Sequence, residues 1–279
     1  LDDKKFDHLK NKSLDDLFIF FNSDKGTKVF FGDKVVNGHN YSHLYEKYFL
    51  KYKSKKEIKI LEIGSLIGAS AASFLKYFDD PEIFCLDVNP FQIQYTSKKI
   101  KKFYLNTRYR NTLNQVSSYL DLKFDIIIDD GSHFNNHQIK TFEHLFKFLN
   151  FGGYYVIEDT QTSYMLKYGG DGFYLKNKKT AVNYFKDFID RINFREIENP
   201  YNKFKNDEFS SSITEIHFYH NLIIIKKDFN EEPSNLLTEN QFKVKGKSAI
   251  GIRNILKQMK YFFHFLRSII NKFLNILKI

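Results

Sequence analysis

From residue 58 onward, short continuous apolar runs alternate with stretches whose apolar residues recur every three or four positions. That is the pattern of buried parallel strands joined by crossover helices. IKILEIG (58–64) predicts a buried strand ending in Gly64, and the small residues from Ala69 to Tyr77 predict a helix. EIFCLDV (82–88) predicts a second strand, closed by Asn89 and Pro90. FDIIIDD (124–130) and GGYYVIED (152–159) predict two more, and NHQIKTFEHLFKFL between them carries a helical period. Tyr164 to Asn177, with Gly169, Gly170 and Gly172, reads as an inserted loop, after which helix resumes near Thr180. ITEIHFYHNLIIIKK (213–227) reads as two strands joined tightly at His220 and Asn221, an antiparallel pair that ends the sheet. The expected architecture is therefore α/β: a doubly wound, mostly parallel sheet closed by a hairpin, with no internal repeat.

The remaining segments divide the chain further. Residues 1–57 are expected to be a helical and loop segment, 58–227 the main domain, and 228–247 a polar linker containing Pro233. Residues 248–279 are expected to form an appended amphipathic helix. Ile252, Leu256, Met259, Phe263, Leu266, Ile270, Phe273 and Leu277 follow seam spacing, widened by Ile255, Phe262, Ile269 and Ile276. Charge follows the same division. Of the net +10, nine charges reside in residues 240–279, which hold nine basic residues and no acid, whereas the preceding body holds 34 basic and 33 acidic residues. Such a tail suits an anionic membrane surface or a second subunit, and a nearly neutral body does not suit nucleic acid.

Composition narrows the setting. With 42% hydrophobic and 18% aromatic residues, the chain of 279 residues can bury a sizeable core. A single cysteine, Cys85, excludes a disulfide framework and a cysteine-rich zinc module. No run approaches a spanning helix, and Leu1, Asp2, Asp3 and Lys4 lack the order of a signal peptide, so a cytoplasmic protein is expected.

Two chemical signals stand out. Glu62, Gly64 and Gly68 form E-x-G-x-x-x-G where the first strand turns into the first helix. Glycines there admit close approach of a ligand to backbone N–H groups, and the helix N-terminus adds partial positive charge. Leu66 stands where G-x-G-x-x-G needs glycine, and the Gly-Lys-Ser/Thr of a triphosphate loop is absent, so S-adenosylmethionine fits better than NAD or ATP. Asp87, at the end of the second strand, is placed to bind ribose hydroxyls, and Ser65 and Asp129 complete the expected cofactor set. The second signal is acidic: Asp129 and Asp130 end one strand, and Glu158 and Asp159 end another. Ligands of open parallel sheets bind outside the carboxyl ends of the strands, so both pairs should face the same crevice. Clustered carboxylates repel, and a hard cation such as Mg²⁺ relieves that repulsion while keeping sites open for substrate oxygens. His133 lies three residues after Asp130. A zinc site on His133 and His137 is disfavoured by their loop setting.

At these residues the chain resembles a known family. LEIGSLIGAS, FDIIIDDGSHFNNH and FGGYYVIEDTQTSY are similar to the class I, S-adenosylmethionine-dependent, metal-dependent sugar O-methyltransferases of the macrocin and mycinamicin type. NSDKGT and HNYSHLYEKYF resemble the segment ahead of their first strand, and IHFYHNLIIIKK resembles their closing hairpin. The resemblance implies a Rossmann-like, seven-stranded sheet, Mg²⁺ held by Asp130, Glu158 and Asp159, and His133 as general base. It also implies a sugar acceptor, nucleotide-linked or lipid-linked, in bacterial surface polysaccharide or capsule biosynthesis near the inner face of the membrane. One departure concerns RYRNTLNQ (108–115), where relatives often carry an acid beside adenine, so the adenine contacts stay unassigned. The tyrosine- and glycine-rich loop from Tyr164 to Tyr174 is placed to cover a sugar, and packing of the loop on itself is the equal alternative for its tyrosines. Tyr41 and His39 read as surface packing in preference to a cover over the cofactor. A catechol-type or other small-molecule O-methyltransferase, and an inactive membrane-surface or assembly protein, remain as alternatives.

Overall fold

The computed structural model describes residues 1, 4–119, 122–197 and 201–233, and beyond these only 259, 260, 262, 263, 266 and 267. The chain divides into two units, Leu1–Pro233 and Ser234–Ile279. The expected basic helix of 248–279 thus lies outside the described residues but for those six positions. Among the described residues, no helix is long and apolar enough to cross a membrane.

In the first unit, β1 (Lys28–Phe31) and β2 (Lys34–Asn37) make a separate antiparallel hairpin. Seven strands form the main sheet: β3 (Ile58–Ile63), β4 (Pro81–Asp87), β5 (Ile100–Tyr104), β6 (Phe124–Asp129), β7 (Leu149–Ile157), β8 (Ile213–Tyr219) and β9 (Leu222–Lys227). Their order is β5-β4-β3-β6-β7-β9-β8, parallel as far as β7 and then closed by the antiparallel pair. The helices are α1 (Leu14–Phe21), α2 (Ser42–Phe49), α3 (Ala69–Tyr77), α4 (Arg110–Tyr119), α5 (Asn135–Leu145), α6 (Ala181–Lys186), α7 (Phe188–Ile192) and α8 (Glu208–Ser212). The expected strands and closing hairpin are present. Two elements were not foreseen. β5 reads IKKFY, too charged to register as an apolar run, and the hairpin at 28–37 falls in a segment read as helix and loop.

Strand alternation sorts the core into two layers, because successive side chains point to opposite faces. Ile58, Ile60, Ile126, Ile128, Tyr154 and Val156 pack with α1, α2 and α3 on one face. Leu61, Ile63, Ile127, Tyr155 and Ile157 pack on the other face with residues of α4, α5 and α6. Residues 1–57 therefore share a core with the sheet rather than standing apart from it. Their own order starts at α1, where Ser13 Oγ accepts from Asp16 N at 3.1 Å and Asn22 ends the helix in the left-handed region. The Asp15 carboxylate then accepts from Thr27 N, Thr27 Oγ1 and Ser42 Oγ at 2.7–2.8 Å, which ties α1 to α2 and fixes the loop between Asn22 and Thr27.

The order reverses between β4 and β6, on either side of β3, and there the turns after β3 and β6 meet. Asp130 N donates to Ile63 O at 2.9 Å, and Gly64 has φ +83°. A Cβ at Gly64 would lie 2.0 Å from Asp130 O, so the contact requires glycine. Gly64→Ala is expected to lower stability by roughly 2 kcal/mol or more, from left-handed strain plus the clash. Urea unfolding, read as a shift in midpoint at constant slope, measures this.

Candidate active site

Alternation also decides where the acids at the strand ends point. Glu62, Asp130 and Glu158 fall in phase with the face that packs on α1 and α2. There they meet Lys25, from the loop that Asp15 fixes. Lys25 is 1% exposed; its Nζ donates to Asp130 Oδ2, to Glu158 Oε2 at 2.9 Å, and lies 4.0 Å from Glu62 Oε1. Tyr45 of α2, fully buried, donates to the other Glu158 oxygen, Oε1. Burial disfavours the Lys25 ammonium, but the Asp130, Glu158 and Glu62 carboxylates outweigh it and hold the pKa well above the ordinary lysine value. The acids are raised, chiefly by burial and, for Glu158, by the adjacent Asp130 charge. Three carboxylates, Glu62, Asp130 and Glu158, thus face a single lysine.

Above this buried layer, Asp130, His133 and Asp159 converge, each offering one ligand atom within 4.8 Å of the others. His133 Nε2 lies 4.0 Å from Asp130 Oδ1 and 3.8 Å from Asp159 Oδ2. Both His133 (φ +57°) and Asp159 (φ +55°) occupy the left-handed region, at a cost on the order of 1 kcal/mol or more each. Two tertiary contacts hold Asp159: the Tyr41 hydroxyl, 3.1 Å from Oδ1, and His39 Nδ1 at 3.6 Å. Tyr41 is thus buried at the site and does more than pack a surface. Glu158 stands outside that set, with one oxygen accepting from Lys25 and the other from Tyr45.

A cavity of about 310 Å³ opens beside these groups, lined by residues that include Gly64, Asp87, Thr107, Arg108, Ser132 and His137. Asp87 is buried and oriented: Oδ2 accepts from Leu66 N at 2.9 Å, and Oδ1 accepts from Asn89 N at 2.8 Å and Gln92 Nε2 at 3.1 Å. Gly64 lines the same cavity, and Gly68 caps α3 with φ +82°. The other expected cofactor residues turn inward. Glu62 is fully buried and accepts from Ser70 Oγ at 2.5 Å; Ser65 Oγ points back to the Glu62 carbonyl at 3.4 Å. Asp129 is 2% exposed, with burial raising its pKa to about 7. His137 sits inside α5 rather than in a loop, its Nδ1 2.7 Å from Ser132 Oγ.

Three contributors escaped sequence reasoning. Lys25 and Tyr45 stand in the segments NSDKGT and HNYSHLYEKYF, yet no spacing links them to acids more than a hundred residues later. Asn106, Thr107 and Arg108 follow β5, which had not been recognised. Asn135 is the third case. Fully buried at the start of α5, it donates to Thr162 O and Tyr168 O, both at 3.0 Å, and accepts from Ser163 Oγ and Ala181 N. It thereby fastens the inserted loop to the turn that carries His133.

The strand order, with its cavity at the carboxyl ends of β3 and β4, defines the Rossmann-like α/β fold of the class I methyltransferases. The chain is 29% identical over 202 residues to demethylmacrocin O-methyltransferase of Streptomyces fradiae, covering 70% of this chain and 50% of that one. It is 28% identical over 201 residues to mycinamicin VI 2''-O-methyltransferase of Micromonospora griseorubida, covering 70% and 49%. A solved structure of the MycE methyltransferase of the mycinamycin pathway, in complex with Mg, SAH and mycinamycin VI, matches with a TM-score of 0.68 at 26% identity, over 80% of this chain and 55% of that one. No protein-family model matches the chain. The chain is a relative of the macrocin- and mycinamicin-type sugar O-methyltransferases that its motifs resemble, and it spans about half the length of these curated relatives.

Asn135→Ala would strand several buried polar groups at once, and is expected to cost about 3 kcal/mol. Denaturant unfolding measures the loss, and faster amide exchange at residues 160–170 would localise it.

Proposed function

We propose that this protein transfers the methyl group of S-adenosylmethionine to a sugar hydroxyl, with Mg²⁺ held by Asp130, Asp159 and Glu158 and with His133 as general base. The observation that carries the reading is the convergence of Asp130, His133 and Asp159 beside a cavity that contains Asp87. The residues fit a cation. Oxygen donors dominate, the negative charge exceeds what Lys25 offsets, and among the described residues Glu62 Oε2 and His133 Nδ1 are buried with no hydrogen-bond partner. Glu158 would join through lone pairs that Lys25 and Tyr45 leave unused.

When bound, the metal would supply Lewis acidity, lowering the pKa of a sugar hydroxyl and orienting it. The chain's own residues do the rest. Asp87, preoriented by three donors, would accept from ribose hydroxyls of the cofactor. His133, with Nε2 turned towards the acids, would accept the acceptor's proton as its oxygen bonds to the methyl carbon and the carbon–sulfur bond breaks. The products are a methyl ether, S-adenosylhomocysteine and a protonated imidazole, and general-base help of this kind contributes about 10²- to 10⁴-fold.

The inserted loop favours an acceptor with an apolar body. Met165, Leu166, Phe173 and Tyr174 are exposed along it, with Phe134 exposed on the neighbouring turn. A lipid-linked sugar of a surface polysaccharide pathway meets that description better than a nucleotide-linked one. The relatives reported above are named as O-methyltransferases of demethylmacrocin and of mycinamicin VI. Methylation of catechols with none of lipid-linked, glycoside or nucleotide-linked sugars would refute the sugar reading.

Asp87→Ala is expected to weaken S-adenosylmethionine binding about tenfold or more, the scale of hydrogen bonds to a charged group, with the fold intact. Calorimetric titration checks it, and unchanged affinity would remove Asp87 from the cofactor site.

Asp130→Ala should lose both metal binding and turnover, whereas His133→Ala should retain metal and lose about 10²-fold or more in rate. Glu158→Gln, measured alongside, should weaken metal binding if Glu158 is a ligand. Full activity after EDTA treatment would refute the metal role.

A further inference from the structure

We propose that Lys25, together with Tyr45, is a positioning residue of the metal centre: a cation built into the chain beneath the carboxylates, which holds Glu158 and one oxygen of Asp130 so that the other Asp130 oxygen faces outward. This rests on the metal reading above and extends it to the segment ahead of the first core strand. The arrangement is one-sided. Lys25 Nζ engages Oδ2 of Asp130, and Oδ1 is the oxygen 4.0 Å from His133 Nε2. Tyr45 and Lys25 take one oxygen of Glu158 each. At 1% exposure Lys25 cannot reach a substrate, and with carboxylates on it its ammonium has no free electron pair to act as base or nucleophile. Positioning is the chemistry left to it.

The placement of Lys25 is itself built. Thr27, two residues on, is held through its N–H and hydroxyl by Asp15. Tyr41 N donates to Lys25 O at 2.9 Å, and a Cβ at Gly38 would lie 2.2 Å from Gly26 O. The loop thus presses against the segment that leads into α2, which carries Tyr45. Carboxylates that ligate metals are themselves hydrogen-bonded by surrounding groups, and losing such a partner typically weakens metal binding 10- to 100-fold. Without Lys25, Asp130, Glu158 and Glu62 would repel one another and turn apart.

The test is calorimetric titration of the full chain with Mn²⁺ and, separately, with S-adenosylhomocysteine. Lys25→Met is expected to raise the Mn²⁺ dissociation constant about 10- to 100-fold, while affinity for S-adenosylhomocysteine, whose cavity neither residue lines, stays within about twofold. Should Lys25→Met fail to fold, Tyr45→Phe removes only the hydroxyl on Glu158 and is expected to weaken Mn²⁺ about tenfold. Unchanged Mn²⁺ affinity in the folded variant overturns the inference. So does tighter Mn²⁺ binding, which would make Lys25 a competitor for the site, or an equal loss of both ligands, which would make it general support. If the wild-type chain binds no Mn²⁺, the metal reading itself fails.

Discussion

The structure depends on bringing several carboxylates together at the ends of parallel strands without leaving their charge unopposed. Parallel strands in register carry equivalent positions to the same height, so acids at the ends of β3, β6 and β7 are driven into one place. Removing a charge from water is expensive unless partners are supplied. Here the partner is Lys25, delivered by a loop that precedes the whole sheet. The packing that covers the sheet with α1 and α2 also completes the acidic centre, because it places Lys25, Tyr45 and Tyr41 against Asp130, Glu158 and Asp159.

Two residues of the same centre carry backbone strain. His133 and Asp159, the two residues that converge with Asp130, both sit in the left-handed region, and Gly64 is pressed against the turn that leads to His133. Such conformations persist only when the surroundings impose them. α5 does so from one side, with Asn135 on the loop backbone and Gln138 Nε2 donating to Glu158 O at 2.9 Å. β9 does so from another, where Thr160 N donates to Asn221 O at 3.1 Å in the tight turn before it. Strain in the turns is thus balanced by two elements whose own packing lies deep in the core.

Sheet parity sorts the acids at the strand ends. Residues in phase with Ile60 and Ile128 face the N-terminal helices and form the charged layer. Asp87 shares that phase through Ile83 and Cys85, whereas Ile63 and Leu86 of the neighbouring phase also line the cavity. Asp129 and Asp130 are adjacent in the chain, yet one is sealed against Gly131 N and the other is held by Lys25.

Much of the framework was legible in the sequence, because buried parallel strands need continuous apolar runs and ligand-binding turns need glycine and acid at their ends. IKILEIG, FDIIIDD and GGYYVIED announced the sheet, and their last residues announced the centre, since strand ends are set by local pattern. β5 was not legible: as an edge strand with lysines it had no need of an apolar run. Nor was the direction in which Glu62, Glu158 and Asp129 turn, because that follows from strand phase relative to the layers packed on each face. Lys25 and Asn135 were beyond sequence reasoning for the same physical cause. A buried charge or amide takes its meaning from partners that only folding brings near, and the partners of Lys25 lie 105 and 133 residues away.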